Sequence, residues 1–150
     1  MGLRLALALL LLVVIASMVV SVYDQLRVLR EVVVEDFLLS YEERSASLVL
    51  EVAISNHAAS PLDVYILAVR LNYRGSSIAV LQDGVRVYAE PGSTTTLNLT
   101  LTLLVPQHEA LEALQGDGGP LEVELEIGVP AKVLTYTVLK LPVTIRALKV

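Results

Sequence analysis

An uncharged apolar segment near the N-terminus, Leu5–Val22, constrains this chain more than any other feature. It lies between Arg4 and Asp24, and Ser17 and Ser21 are the only hydroxyl side chains among its leucine, valine, isoleucine, alanine and methionine residues. As an α-helix at about 1.5 Å per residue, the segment is roughly 27 Å long, close to the ~30 Å hydrocarbon core of a bilayer. We therefore predict a transmembrane helix whose residues 5–22 contact the lipid bilayer.

The alternative for the same segment is a secretory signal sequence, because Arg4 makes the N-terminal region positive and Ala16 offers a small residue to a peptidase. The apolar part of a signal normally has ~7–15 residues, whereas this run continues past Ala16 to Val22. We therefore expect an uncleaved anchor in the cell membrane.

The orientation of the anchor depends on the positive charges that flank it. Arg4 precedes the segment and Arg27 and Arg30 follow it, so the positive-inside rule gives almost no preference for either orientation. The short N-terminal tail then predicts the N-terminus inside and the domain outside the cytoplasm.

Charge and cysteine content exclude several classes of partner and site. The chain has 11 lysine and arginine residues against 16 aspartate and glutamate residues, a formal net charge of −5, and no basic run. Nucleic acid is therefore not an expected partner. Cysteine is absent, which removes disulfides, thiolate metal sites and cysteine nucleophiles. We divide the chain into an anchor with a short stalk helix, residues 1–30, and one domain, residues 31–150, which is long enough to bury its own core.

The hydrophobic period changes from helical to strand-like after the anchor. Residues 97–103 alternate apolar and polar side chains, and the strand before them places Leu48, Leu50, Val52 and Ile54 on one face with Glu51 and Ser55 on the other, the pattern of strands with one buried face. Pro106–Gln115 predicts one short helix, and Pro142 is expected to separate the last two strands. Turn signals recur at the spacing of a β-sandwich. The predicted fold is therefore all-β, an antiparallel Ig-like sandwich of about seven or eight strands with one short helix, preceded by a single transmembrane helix.

A row of carboxylates, Glu122, Glu124 and Glu126, lies on one face of a predicted strand. Calcium binds clustered oxygen ligands, but its sites usually draw them from an irregular loop at closely spaced positions. A solvated strand face is therefore the favoured interpretation. Such a row of like charge would also protect a sheet edge from pairing with another chain. We predict no metal site.

The sequence contains no catalytic motif. His57 and His108 are the only histidines, and neither has a second histidine or a cysteine at metal-ligand spacing. Nucleophile elbows, phosphate-binding loops and dinucleotide fingerprints are absent as well. We therefore predict a protein that is not an enzyme, with no catalytic, cofactor-binding or metal-binding residue.

Asn98-Leu99-Thr100 matches the acceptor pattern for N-glycosylation. Asn98 falls on the wet face of its predicted strand, so it would be accessible if the domain is exported. The strand propensity of threonine alone also explains Thr100. Asn98 is therefore a candidate glycosylation site, with an accidental match as the alternative.

Four turn and strand motifs follow one another between Leu48 and about Val105. They are Ile54-Ser55-Asn56, Ser60-Pro61-Leu62-Asp63-Val64, Leu71-Asn72-Tyr73-Arg74-Gly75 and Pro91-Gly92-Ser93-Thr94. Together they resemble the LEA14-like or WHy family, the water-stress and hypersensitive-response domain. The family's Asn-Pro-Asn motif is represented here by Asn56-His57-Ala58, which keeps only the first asparagine.

The resemblance implies a β-sandwich with one helix packed at its end, often behind a single membrane span, and it brings no catalytic residue to this chain. We expect five structural turn positions within it: Asn56, Pro61, Gly75, Pro91 and Gly92. The implied function is a non-catalytic interaction or protective module at the cell surface, related to stress and desiccation, with protein partners at the sheet edges.

Two other functions remain open from the sequence. One is a structural accessory subunit of a surface filament or secretion assembly. The other is an enzyme or carrier with its site inside the sandwich, which the aliphatic core argues against and which a ligand-sized cavity would favour.

Overall fold

The computed structural model describes residues 2–81, 83–116 and 119–149. It is mostly antiparallel β-sheet, 55% strand, with an apolar N-terminal helix and a short second helix. The elements in chain order are α1 (Gly2–Arg30), β1 (Val32–Glu42), β2 (Ser47–Asn56), β3 (Leu62–Tyr73), β4 (Ser76–Val80), β5 (Val85–Ala89), β6 (Thr94–Leu103), α2 (Gln107–Gln115), β7 (Leu121–Val133) and β8 (Tyr136–Lys149).

All eight strands join one antiparallel sheet that curls into a half-barrel. Its order is β1-β2-β6-β4-β3-β7-β8, and β5 pairs with β3. Within the described residues the link between β4 and β6 is short, with Ala79 opposite Leu103 and Val80 opposite Thr102. The predicted sandwich of two separate sheets is not confirmed, because this link makes the hydrogen bonding continuous. Register shifts in the pairings of β1, β3 and β7 mark bulges, which bend strands and increase their twist.

The strands predicted from alternation are confirmed, and they bury one aliphatic face. In β6, Leu99 and Leu101 are fully buried, whereas Asn98 and Thr100 between them are exposed. β2 buries Leu48, Leu50, Val52 and Ile54 in the same way. The concave side of the curled sheet is therefore an aliphatic core, because the alternate side chains of each strand point to it.

The C-terminal hairpin differs from the prediction. β8 runs without a break through Pro142, which lies opposite Gly128, and the reversal of the chain falls at Leu134 and Thr135. The prediction failed because β8 ends the sheet. A proline lacks the amide hydrogen that a central strand needs, but in an edge strand that position can face away from the neighbour.

The second half of α1 packs against the sheet, whereas the prediction placed residues 5–22 in the bilayer and made the remainder of the helix a short stalk. From Val14 to Leu29, residues spaced by three or four positions are at least half-buried, and Val28 is 1% exposed. β7 is the main neighbour of this face. The preceding part of the helix, Gly2–Val13, is exposed throughout. The division of the chain at residue 30 stays a prediction.

The short helix α2 is confirmed at Gln107–Gln115. It buries Ala110 and Ala113, and Gly116 ends it with a φ of 77°, a left-handed conformation that favours glycine. Asp117 and Gly118, which follow the predicted helix, lie outside the described residues.

Candidate functional site

A buried aspartate joins α1 to three strands. Asp63, on β3, accepts hydrogen bonds from Arg86 on β5, with Nε 2.9 Å from Oδ1 and Nη2 3.2 Å from Oδ2. Lys132 on β7 places Nζ 2.7 Å from Oδ2. The backbone N–H of Asp63 donates to Gln25 Oε1 of α1 at 3.0 Å. We call Asp63, Arg86 and Lys132 the ion cluster.

The electrostatics of the ion cluster keep Asp63 negatively charged. Burial raises the pKa of Asp63, but the hydrogen bonds and positive charges of Arg86 and Lys132 outweigh it and lower the pKa overall. The carboxylate in turn raises the pKa of Arg86. A carboxylate with a lowered pKa is a weak general base at neutral pH. The arrangement suits a structural ion cluster with one excess positive charge.

Aromatic rings and a further cation surround the ion cluster. Lys140 Nζ lies 3.7 Å from the centre of the Tyr65 ring, and the guanidinium carbon of Arg86 lies 5.9 Å from it. Tyr88, opposite Asp63 in the pairing of β3 with β5, is half exposed. We call Arg86, Lys132, Lys140, Tyr65 and Tyr88 the basic–aromatic collar. Sequence reasoning missed it because its residues lie far apart along the chain and share no local motif.

The two serines of the apolar segment hydrogen-bond to β7. Ser21 Oγ accepts the backbone N–H of Lys132 at 2.8 Å, and Ser17 Oγ donates to the carbonyl of the same residue at 3.3 Å. The pairing of β7 with β3 ends at Gly128. The serines therefore satisfy backbone groups that the sheet leaves open, a role that sequence reasoning did not assign to them.

An apolar cavity lies inside the half-barrel, and both edge strands, β1 and β8, contribute residues to its lining. Its volume is about 310 Å³, and its lining is made entirely of apolar side chains. Among them are Phe37 of β1, Val87 of β5 and Ile145 of β8. We call this space the seam cavity. Sequence reasoning expected a filled core here, because alternation shows which side chains face inward but not whether the two edges close on one another.

A family model supports the resemblance that the turn motifs suggested. The model described as LEA_2, late embryogenesis abundant protein, matches residues 51–147. The chain belongs to this family. The match begins within β2 and ends within β8, so it covers most of the sheet, and α1 precedes it.

Two solved structures show a distant likeness to this LEA_2 chain. A crystal structure of a protein from Archaeoglobus fulgidus shares 15% identity at a TM-score of 0.44, covering 78% of this chain and 94% of that chain. A solution structure of a protein from Arabidopsis thaliana shares 16% identity at a TM-score of 0.43, covering 79% and 78%. A search among curated proteins finds no match.

Asn56 is the most connected of the predicted turn positions in this LEA_2 domain. It is fully buried, and its Nδ2 donates to the carbonyls of Ser60 and Ala89, both at 3.0 Å. Its Oδ1 accepts the N–H of Ala58 at 3.0 Å. The side chain thus holds the loop after β2 against the end of β5.

The other predicted turn positions lie at strand ends. Pro61 is exposed just before β3, and Pro91 is exposed just after β5. Gly75 and Gly92 have φ values of 78° and 71°, which favour glycine. Gly92 N–H also donates to the Asn56 carbonyl at 2.8 Å. The importance of these five residues for folding stays a prediction.

Glu122 and Glu124 of the glutamate row are paired with arginines of the neighbouring strands. Arg146 Nε lies 3.7 Å from a Glu122 oxygen and 3.6 Å from one of Glu124, and Arg70 Nη1 lies 3.8 Å from Glu124. The edge-protection interpretation was wrong, because β7 lies between β3 and β8. Within the described residues, no group of three potential ligands stands close enough to hold a metal ion.

The remaining candidate residues lie on separate elements. His57 is in the loop after β2, where its backbone N–H donates to the Glu31 carbonyl at 3.2 Å. His108 is in the first turn of α2, a helix that the sequence predicted. Asn98 is exposed on β6 opposite Glu51. Its glycosylation stays a prediction.

Proposed function

We propose that this LEA_2 protein is a single-pass protein of the cell membrane, with α1 crossing the bilayer, the N-terminus inside and the domain outside. One observation carries the proposal. The most apolar window of α1 has a mean hydropathy of 3.0, and 0% of it is buried in the protein. The core helix of a soluble domain would be mostly buried by other elements, whereas no residue of this window is fully buried by the rest of the chain, and a bilayer would remove its apolar surface from water.

The domain is proposed to act as a non-catalytic interaction or protective module of the stress-related LEA14-like kind. Its family supports the stress-related role. The edge strands β1 and β8 are the proposed contact surfaces for protein partners, because an edge presents backbone groups that another strand can pair with. We also propose that the two ends of the sheet face each other as in a sandwich, since the β4–β6 link is only two residue pairs long.

The anchor is tested on the full chain expressed in cells. Membranes are washed with alkaline carbonate, and the molecular mass of the protein that remains in the membrane pellet is measured by mass spectrometry. We expect the protein in the pellet at its full 16.2 kDa, and we expect protease added outside intact cells to digest the domain. A soluble product beginning near Ser17 would refute the anchor and establish the signal sequence. Protection of the domain from outside protease would reverse the orientation.

A second candidate function, a carrier of an apolar ligand, is favoured by the seam cavity. Its volume of about 310 Å³ reaches the lower end of the range for small-molecule pockets, roughly 300–1,000 Å³. Among the described residues, no polar side chain lines the cavity, so its ligand would be an aliphatic chain.

Native mass spectrometry of the detergent-purified chain tests the carrier. Ala147→Phe narrows the cavity from β8, since Ala147 lines it. Ala53→Phe is the matched control, because Ala53 is also half-buried and lies on β2 away from the lining. A lipid-sized adduct on the wild type and on the control, but not on Ala147→Phe, supports the carrier. A wild type without adduct refutes it.

A further inference from the structure

We propose that the tip of the β7–β8 hairpin, residues 133–139, enters the bilayer beside α1 and forms a second membrane contact. The inference deepens the proposed function, and it rests on α1 as the membrane anchor. It follows from the length of the apolar segment, the contacts between α1 and the hairpin, and the surface of the hairpin tip.

The length of the apolar segment places part of the helix–hairpin contact below the membrane surface. Arg4 and Asp24 are the charges that bound it. If Arg4 lies at one face of the hydrocarbon core, Ser17 lies roughly 20 Å and Ser21 roughly 26 Å from that face along the helix axis. Both serines therefore lie within a hydrocarbon core of ~30 Å. Ser17 would lie about 10 Å below the face on the domain side.

The hydrogen bonds of these serines bring the hairpin to the same depth. Both bond to the backbone of Lys132, the N–H at Ser21 and the carbonyl at Ser17. β7 therefore runs towards the N-terminus of α1 at this point, and the hairpin tip that follows Lys132 lies deeper still. Helix residues remain half-buried as far as Val14. A bilayer that covers the anchor must also surround the tip.

The hairpin tip has the surface that such a position requires. No charged residue occurs between Lys132 and Lys140. Leu134 is 86% exposed and Tyr136 is 75% exposed. Leu134 has a φ of 57°, a conformation in which a leucine is strained and an asparagine or glycine is not. In water, an exposed and strained leucine at the end of a hairpin gains no stabilisation from burial, whereas in a bilayer its apolar surface is removed from water.

The charges next to the tip point away from it. Lys132 reaches back to Asp63, and Lys140 lies over the ring of Tyr65. Both belong to the basic–aromatic collar, which lies near Gln25, on the aqueous side of the apolar segment. Cations and tyrosines are the side chains found where membrane proteins meet lipid head groups. The collar therefore marks the level of the membrane surface.

The space between the helix and the hairpin is also apolar. A groove of about 470 Å³ runs along it, lined by Ile15, Met18 and Val22 of α1 and by Leu139 and Leu141 of β8 among other apolar residues. In water such a groove would be a costly exposed surface. In a bilayer it accepts a lipid acyl chain. The two serines satisfy the backbone N–H and carbonyl of Lys132, next to the tip, as a low-dielectric surrounding demands of such groups.

The test measures depth in vesicles of phosphatidylcholine and phosphatidylglycerol that hold the full-length chain. Because the sequence has no cysteine, one cysteine at a time can carry an environment-sensitive fluorophore. Leu134→Cys reports the tip and Leu11→Cys reports the anchor. Leu104→Cys is the matched control, since Leu104 is 55% exposed and lies beyond β6, next to α2.

We expect labels at positions 134 and 11 to emit at shorter wavelength than the label at 104 and to be quenched by brominated lipid. The label at 104 should be quenched only by aqueous iodide. A lipid-quenched label at 11 with an iodide-quenched label at 134 overturns the insertion of the hairpin and leaves the anchor intact. An iodide-quenched label at 11 refutes the anchor itself. Circular dichroism of each variant checks that strand content is unchanged.

Discussion

Replacing Asp63 with asparagine tests whether the ion cluster stabilises the fold. The carboxylate is 7% exposed and accepts the hydrogen bond of Lys132 Nζ at 2.7 Å. Asparagine keeps the shape of the side chain but removes its negative charge. Lys132, 28% exposed, then loses its anionic partner while it stays largely withdrawn from water.

The expected loss follows from the burial of the two partners. Breaking a fully buried ion pair costs about 3–5 kcal/mol, and a hydrogen bond to a charged group contributes about 1.5–3 kcal/mol. The range for a hydrogen bond to a charged group is the appropriate one, because Lys132 keeps some contact with water. Asp63→Asn should therefore lower the free energy of unfolding by about 1.5–3 kcal/mol. Arg86 is 58% exposed, so Arg86→Met should lower it less than Asp63→Asn does.

Urea denaturation of the full chain in detergent micelles, followed by the strand signal in circular dichroism, measures these changes at neutral pH. Lys132→Met and the double variant with Asp63→Asn complete a double-mutant cycle. If the two groups stabilise each other, the double variant loses less than the sum of the single losses. A loss for Asp63→Asn below about 0.5 kcal/mol, the range of ordinary surface substitutions, would refute a stabilising ion cluster.

The pH dependence gives an independent check on the same group. Burial raises the pKa of Asp63, but the hydrogen bonds and charges of Arg86 and Lys132 lower it below 3.8 overall. A group with a lowered folded-state pKa contributes its full stability above the unfolded-state pKa and loses it as the pH falls through the folded-state value. The difference between wild type and Asp63→Asn should therefore be constant near neutral pH and shrink below about pH 4.

Three further substitutions separate buried from exposed interactions, all measured by the same urea denaturation. Asn56→Ala leaves three backbone groups without their partner and should cost about 2–4 kcal/mol; a loss below about 1 kcal/mol would show that water replaces the amide. Leu101→Ala opens a cavity at a fully buried position and should cost about 2–5 kcal/mol; a smaller loss would mean that the core collapses around it. Arg146→Ala removes exposed pairs with Glu122 and Glu124 and should cost less than about 1 kcal/mol, so a larger loss would contradict their assignment as surface pairs.

Local pattern was enough to predict most of the secondary structure. The alternation in β6 predicts a strand with one buried face, because a side-chain period of two admits no other regular element. The helix over Gln107–Gln115 follows from its composition and from the glycine that ends it. The predicted break at Pro142 failed because the effect of a proline depends on whether its strand is central or at an edge. That depends on strand order, which no local window contains.

The ion cluster and the seam cavity could not be predicted from the sequence for a related reason. Asp63 is charged and lies within a turn motif of the sequence, so nothing local predicts that it is buried. Its burial depends on Arg86 and Lys132, which the topology of β3, β5 and β7 brings to it. The seam cavity likewise depends on how far the sheet curls. Sheet curvature comes from bulges in several pairings, and a single strand does not reveal them.

The packing of α1 on the sheet changes what an anchor does for this domain. A stalk would let the domain rotate freely above the bilayer. Here Gln25 bonds to Asp63, Ser21 bonds to Lys132, and Val28 is buried in the core. In a membrane-anchored chain these contacts fix the tilt of the domain, so that β1 and β8 present their edges in one orientation. Rigid placement reduces the entropy lost when a partner binds at those edges, which favours a role as a membrane-bound docking module over that of a freely moving protectant.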